Sequence, residues 1–315
     1  MTLILSFVRH GIAVQVADRL VSQQRGRIIG PLDQIANKLL IYRSRDAIVS
    51  IGYAGQAFIG NIPTDEWLAQ LISGEPNVRG PEDMGGVRLG RTPNNWDIGK
   101  AVRRIRDDLP PHIASGQIIY VCVVGHQITR RGLVRPFLCE MALQRNRVHS
   151  FQQSPRFWRR NAGCISSIGI EIGDQERERI IMHLRDADPP LTHDQIAEFL
   201  TATICRHEQP GVGPHTSAVI IPFPGSVPVR SKFYANTPHH ILIHSPDADF
   251  RLETGYSPWV IGPQIIKTPT ADVGGMNFST GGIEIACEGE RPPAQGILGI
   301  MSSVARFNLP RHLRR

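Results

Sequence analysis

A hydroxyl becomes a useful nucleophile only when a base stands beside it, and one residue of this chain could supply both. Thr2 follows Met1. Methionine removal in the cytoplasm favours a small second residue, which threonine is. The α-amine so freed has an ordinary pKa of about 7.7–8.0, so a useful fraction is neutral near pH 7 and can accept the hydroxyl proton. Two charged residues then punctuate the apolar runs downstream. Asp18 ends one run, in Arg9-His-Gly-Ile-Ala-Val-Gln-Val-Ala-Asp18-Arg19, where a carboxylate must be solvated or paired. Lys38 opens the next. It is one of only four lysines (38, 100, 232 and 267) among 35 basic residues, so its placement carries information. Gly52-Tyr-Ala-Gly55 closes the second pair of runs.

Other chemistries fit less well. Residues 130–160 hold eight arginines (130, 131, 135, 145, 147, 156, 159 and 160) against one acid, Glu140. The end of that segment, Arg156-Phe-Trp-Arg-Arg160, mixes cations with aromatics as single-stranded nucleic-acid binders do. No zinc-finger, helix-turn-helix or RNA-recognition signature accompanies it. Arginines that pair with acids elsewhere, or that meet another subunit, explain the segment equally simply. Of 12 histidines, His239 and His240 are adjacent, and adjacent strand residues point to opposite faces, so the pair does not chelate one metal. The glycine pairs at 211–213, 274–275 and 281–282 lack the strand–loop–helix setting of nucleotide sites and read as turns. No metal and no cofactor is expected. Five cysteines, odd in number and without a CxxC pair, argue against a disulfide framework and a cysteine-type zinc site.

The elements that must position Thr2, Asp18 and Lys38 are short apolar strands. Residues 3–8 and 11–17 read as a hairpin with its turn at Arg9-His10-Gly11, and residues 39–43 and 47–54 as a second pair split by Arg43-Ser-Arg-Asp46. A helix is predicted from Thr64 as N-cap, with Asp65 and Glu66 in its first turn, and another over 97–109. Residues 74–96 read as a loop. Strands are predicted over 117–125, 133–143, 163–172 and 216–221, and helices over 174–186 and 193–207, the latter capped by Thr192. Residues 255–267 read as an edge strand that packs through Trp259. Strand pairs with helices in blocks imply α+β layers rather than alternating βαβ units.

With 41% hydrophobic and 20% charged residues in a chain of 315, a full core is expected, not disorder. No apolar run reaches the roughly 18 residues that span a bilayer, so no membrane partner is expected. The start lacks a basic segment before its short apolar stretch. No signal peptide is expected, the mature chain is expected to begin at residue 1 or 2, and the reducing cytoplasm is the expected compartment.

The order Thr2, apolar hairpin, Asp18-Arg19, Lys38 and Ala54-Gly55 resembles the N-terminal-nucleophile hydrolases of the proteasome β-subunit type. The resemblance is clearest over residues 2–72 and continues loosely to residue 222. It implies a four-layer αββα sandwich, two antiparallel sheets flanked by helices, over residues 1–222. Residues 223–315 lie outside the resemblance and are expected to form a Pro/Gly-rich, β-rich C-terminal extension packed on the same domain. The resemblance implies Thr2 as nucleophile, Asp18 holding Lys38, Lys38 placing positive charge near the Thr2 hydroxyl, and Gly55, or Gly52, presenting a backbone N–H to the oxyanion. The substrate is then a peptide or amide, and a homo-oligomer is expected.

The sequence departs from that pattern in three places. Asp18 is followed directly by Arg19 without the family's spacer. Ser166-Ser-Ile-Gly-Ile170 has isoleucine where the family's serine falls. Gly213, His215, Thr216 and Ser217 fill the turn that carries the family's supporting acid and serine. Three readings follow: a threonine-nucleophile amide hydrolase; a non-catalytic member of that fold acting as an assembly or binding module; and nucleic-acid binding through residues 130–160, the least favoured.

Overall fold

The computed structural model describes residues 2–25, 28–33, 36–74, 89–93, 95–153, 163–207, 212–213, 215–224, 228–234, 259–262, 265–268, 275–280 and 283–289. The chain begins with strands β1 (Leu3–Arg9), β2 (Ile12–Asp18), β3 (Val21–Arg25), β4 (Ile28–Asp33), β5 (Leu39–Arg43), β6 (Ala47–Gly55), β7 (Phe58–Ile59) and β8 (Ile62–Pro63). Helix α1 (Thr64–Ser73), β9 (Leu89–Arg91) and α2 (Ile98–Asp108) follow, then β10 (Ile118–Ile128), β11 (Val134–Gln144), β12 (Arg147–Gln153) and β13 (Cys164–Gly169). Helices α3 (Asp174–Asp186) and α4 (His193–Arg206) precede β14 (Thr216–Pro222) and β15 (Val229–Tyr234). The last strands are β16 (Trp259–Gly262), β17 (Ile265–Thr268), β18 (Gly275–Thr280) and β19 (Ile283–Gly289).

The protein is thus mixed α+β and mostly strand. One sheet has the order β13-β1-β2-β14-β15-β19-β18-β17, and the other β12-β11-β10-β6-β5-β16-β9. Three apolar clusters show how they pack. Ile4, Ala17 and Val219 of the first sheet meet Leu39, Ile41, Ile48 and Val124 of the second. On the far side of the first sheet, Leu5, Phe7, Val14 and Val16 pack with Ile180 and Leu184 of α3 and Ile196 and Leu200 of α4. On the far side of the second, Leu40, Tyr42, Val49, Ile51 and Val121 pack with Leu68 and Ile72 of α1 and Val102 and Ile105 of α2. Leu39 and Ile41 therefore face one layer while Leu40 and Tyr42 face the other. A strand buried on both faces reads as a continuous apolar run rather than an alternation.

Several local expectations need correction. Thr64 does not cap α1: it is the first helical residue, the N-cap is Pro63, which offers no side-chain bond, and the Thr64 hydroxyl donates to the Gln56 carbonyl at 2.8 Å. Trp259 is buried as expected, but β16 is not an edge strand. It lies between β5 and β9, parallel to both. β12 also falls inside the arginine-rich segment, at residues for which no strand was predicted, and all seven of them are exposed. Thr192 does cap α4, in a capping box with Gln195. β15 to β19, from beyond residue 222, are built into the two sheets. No helix among the described residues is long and apolar enough to cross a membrane.

Candidate active site at the end of the first hairpin

β1 and β2 pair antiparallel with Ile4 opposite Ala17, which brings the start of β1 beside the end of β2. The Leu3 N–H donates to Asp18 Oδ1 at 2.8 Å, so the carboxylate closes the open end of the hairpin. β14 adds on the other side of β2, with Thr216 opposite Asp18. β13 lies on the other side of β1, where the Ile170 N–H donates to the Thr2 carbonyl at 2.9 Å. Gly169 permits this approach. Its φ is +89°, and a Cβ there would stand 2.0 Å from the Thr2 carbonyl oxygen, so no side chain fits. The position and course of Thr2 are therefore fixed by β13 as well as by its own hairpin.

Lys38 arrives from the other sheet, immediately before β5. Its Nζ donates to Thr2 Oγ1 at 2.8 Å, to Asp18 Oδ2 at 3.0 Å and to the Leu20 carbonyl at 2.6 Å. An ammonium has three protons, and among the described residues these three acceptors face it. All members are buried: Asp18 is 0%, Lys38 3% and Thr2 6% exposed. Burial on this scale is tolerable only because each charge is bonded. Asp18 accepts, besides Lys38, the N–H groups of Leu3 and Leu20 and, at 3.4 Å, that of Gly213. The fully buried Arg19 clamps the approach to Lys38. Its carbonyl accepts the Ala36 N–H at 3.0 Å, and its Nε donates to the Ala36 carbonyl at 3.2 Å.

The arrangement places a cation against a hydroxyl oxygen. That stabilises negative charge developing there and leaves the hydroxyl proton for another base. Three of the thiols are poorly placed to compete as nucleophiles: burial pushes Cys122 and Cys139 up to about 12, and Cys164 also upward. Among the described residues no group of three or more His, Cys, Asp or Glu could hold a metal ion.

Three of the four residues singled out from the sequence thus meet in space: Thr2, Asp18 and Lys38. Gly55 ends β6 opposite Ile119, two residues beyond Tyr53, whose N–H donates to the Lys38 carbonyl. No contact of Gly55 with Thr2 is among the described hydrogen bonds. Sequence reasoning missed Gly169, Leu20 and Gly213. Their glycine or apolar identity gives no hint that backbone groups serve the site. Ser217 is 3% exposed, and its hydroxyl has no hydrogen-bond partner among the described residues. Of the arginine segment, residues 130, 131, 135, 145 and 147 are exposed, whereas 156, 159 and 160, like His239 and His240, lie outside the described residues. No protein-family model matches the chain, and no curated protein matches it in sequence.

Proposed function

We propose that this chain is a threonine-nucleophile amide hydrolase on a four-layer αββα sandwich of the N-terminal-nucleophile type. The observation that carries the reading is the buried Lys38 ammonium, 2.8 Å from Thr2 Oγ1 and 3.0 Å from Asp18. Cleavage of the peptide bond before Thr2 frees its α-amine. The neutral amine takes the hydroxyl proton as Oγ1 attacks the carbonyl carbon of a peptide or amide. Lys38 lowers the cost of charge on Oγ1, and a backbone N–H near Gly55 receives the oxyanion. The amine then protonates the departing nitrogen. Water, activated by the same amine, releases the acyl group from the threonine ester. Lys38 touches the reacting oxygen, whereas Asp18 acts through Lys38 as a positioning residue.

One observation favours a second reading, a non-catalytic binding or assembly module. The buried Ser217 hydroxyl and its neighbours Gly213 and His215 do not supply the acid–serine support that the family places in this turn. Intact mass spectrometry with and without a β-lactone, which acylates nucleophilic hydroxyls, separates the two. The hydrolase reading expects a mass that begins at Thr2 and a single acyl adduct that Thr2→Ala abolishes. A chain that retains the residue before Thr2, or an adduct unchanged in Thr2→Ala, would overturn it in favour of the module.

A further inference from the structure

We infer that Gly213, in the connection between α4 and β14, is a positioning residue for the Lys38–Asp18 pair. It would act through Leu20, and its role in acylation rests on the hydrolase reading above. Leu20 serves the pair twice: its N–H donates to Asp18 Oδ2 at 3.1 Å, and its carbonyl accepts from Lys38 Nζ at 2.6 Å. Displacement of the Leu20 backbone therefore moves both partners. The segment that sets its place comes from nearly two hundred residues away. The Arg19 N–H donates to the His215 carbonyl at 2.9 Å, which extends the β2–β14 ladder beyond Thr216. Gly213 then lies against Leu20, and its own N–H reaches Asp18 Oδ2 at 3.4 Å. A Cβ on Gly213 would stand 2.7 Å from the Leu20 Cβ, 3.3 Å from its nitrogen and 3.5 Å from its Cα. The Leu20 Cβ is not the far end of a flexible chain. It cannot rotate aside, so the backbone of one segment must move, and each of them bonds Asp18. Glycine at 213 is what lets a third element close on the carboxylate.

Two readouts test this, one of them independent of catalysis. With only four lysines, the ¹⁵Nζ signals can be assigned by substitution, and a buried, bonded ammonium exchanges its protons slowly. Gly213→Ala is expected to shift the Lys38 signal and speed its exchange while Lys100, Lys232 and Lys267 stay in place. It is also expected to slow β-lactone acylation at least about tenfold, through the rate of acylation rather than the affinity for the reagent. Leu20→Gly in the Gly213→Ala background removes the clashing Cβ but keeps the carbonyl. It is expected to return the Lys38 signal and most of the rate. The double variant also carries the test if Gly213→Ala alone fails to fold. An unmoved Lys38 signal in folded Gly213→Ala, or a double variant that folds without restoring it, overturns the inference. A wild type with the expected Lys38 signals that never acylates overturns the hydrolase reading and leaves Gly213 as a positioning residue of the ion pair.

Discussion

Two buried polar clusters draw on the same pair of strands, β1 and β2, and only one of them holds charge. At the hairpin's open end, Asp18 and Lys38 meet at Thr2. Midway along, Ser6 lies opposite Gln15, and the amide of Gln15 donates to Ser6 Oγ at 2.9 Å and to the Cys122 carbonyl at 3.1 Å. Its oxygen accepts from Ser50 at 2.6 Å. Both clusters join one sheet to the other, and both are shut away from water. They differ in what the backbone can offer. In mid-strand the N–H groups belong to the ladder, so what remains is side chains and the second lone pair of a carbonyl such as that of Cys122, and a neutral amide fits that supply. At strand ends the N–H groups of Leu3, Leu20 and Gly213 are spare and converge on one carboxylate. Spare backbone donors are what make a buried charge affordable there.

The largest effect is expected where charge is removed. Lys38→Met keeps much of the side-chain volume but leaves Asp18 without its counter-ion. Breaking a buried pair costs about 3–5 kcal/mol in general, and the three remaining N–H donors place this case at the low end. Denaturant unfolding should therefore show a folded protein weakened by about 3 kcal/mol, with β-lactone acylation slowed at least about tenfold. Lys38→Arg keeps the charge, but its planar fork does not match a site with three acceptors around one nitrogen, so it too should acylate slowly. If Lys38→Arg is silent in every assay while Lys38→Met unfolds, the pair is structural and the contrast with the Gln15 cluster is one of charge alone.

A second effect of similar size belongs to neither cluster. His126 is fully buried at the far end of β10, with the backbone of Ile221 and the His10 ring as its polar surroundings. Burial lowers its pKa from 6.5 to about 4. As pH falls below 6.5 the unfolded chain takes up a proton that the folded chain refuses until about pH 4. Stability is then lost across that window, by about 3 kcal/mol in total. His126→Leu should flatten this part of the pH–stability curve. An unchanged slope between pH 6.5 and 4 would show that the ring is not the group responsible.

The hairpin end was legible in the sequence because everything it needs is close along the chain: an apolar run, an acid where it stops and a lysine where the next begins. What could not be read has a common physical cause. Gly213 reaches Asp18 across 195 positions through a backbone N–H, which any residue but proline carries. β16 inserts between β5 and β9 by parallel pairing, and no local turn announces a parallel partner. β12 is exposed throughout, so it lacks the apolar–polar alternation that half-burial writes into a strand. The hydroxyl of Thr64 could accept an N–H as a cap or donate to a carbonyl, and only the fold places the Gln56 carbonyl beside it.

The smallest of these effects should come from the neutral cluster, and it decides whether the two clusters are separate. Gln15→Leu replaces the amide by an apolar group of similar size. Ser6 and Ser50 lose their shared partner, although Ser6 still accepts from the Cys122 thiol at 3.3 Å. Across the sheets stands Gly52, where a Cβ would lie only 3.0 Å from the amide head, so the gap on that side admits no further atom and the branched leucine must fit the space of the amide itself. One hydroxyl is left without its acceptor, which costs about 1–3 kcal/mol, and added apolar contact offsets part of that. A net loss of about 2 kcal/mol is expected from denaturant unfolding. Acylation should stay within about twofold of the wild type, since a stable, folded hairpin still presents Asp18 to Lys38. A tenfold loss of acylation in a Gln15→Leu protein that remains folded would mean that mid-strand packing sets the register at the hairpin end, and the two clusters would then have to be treated as one.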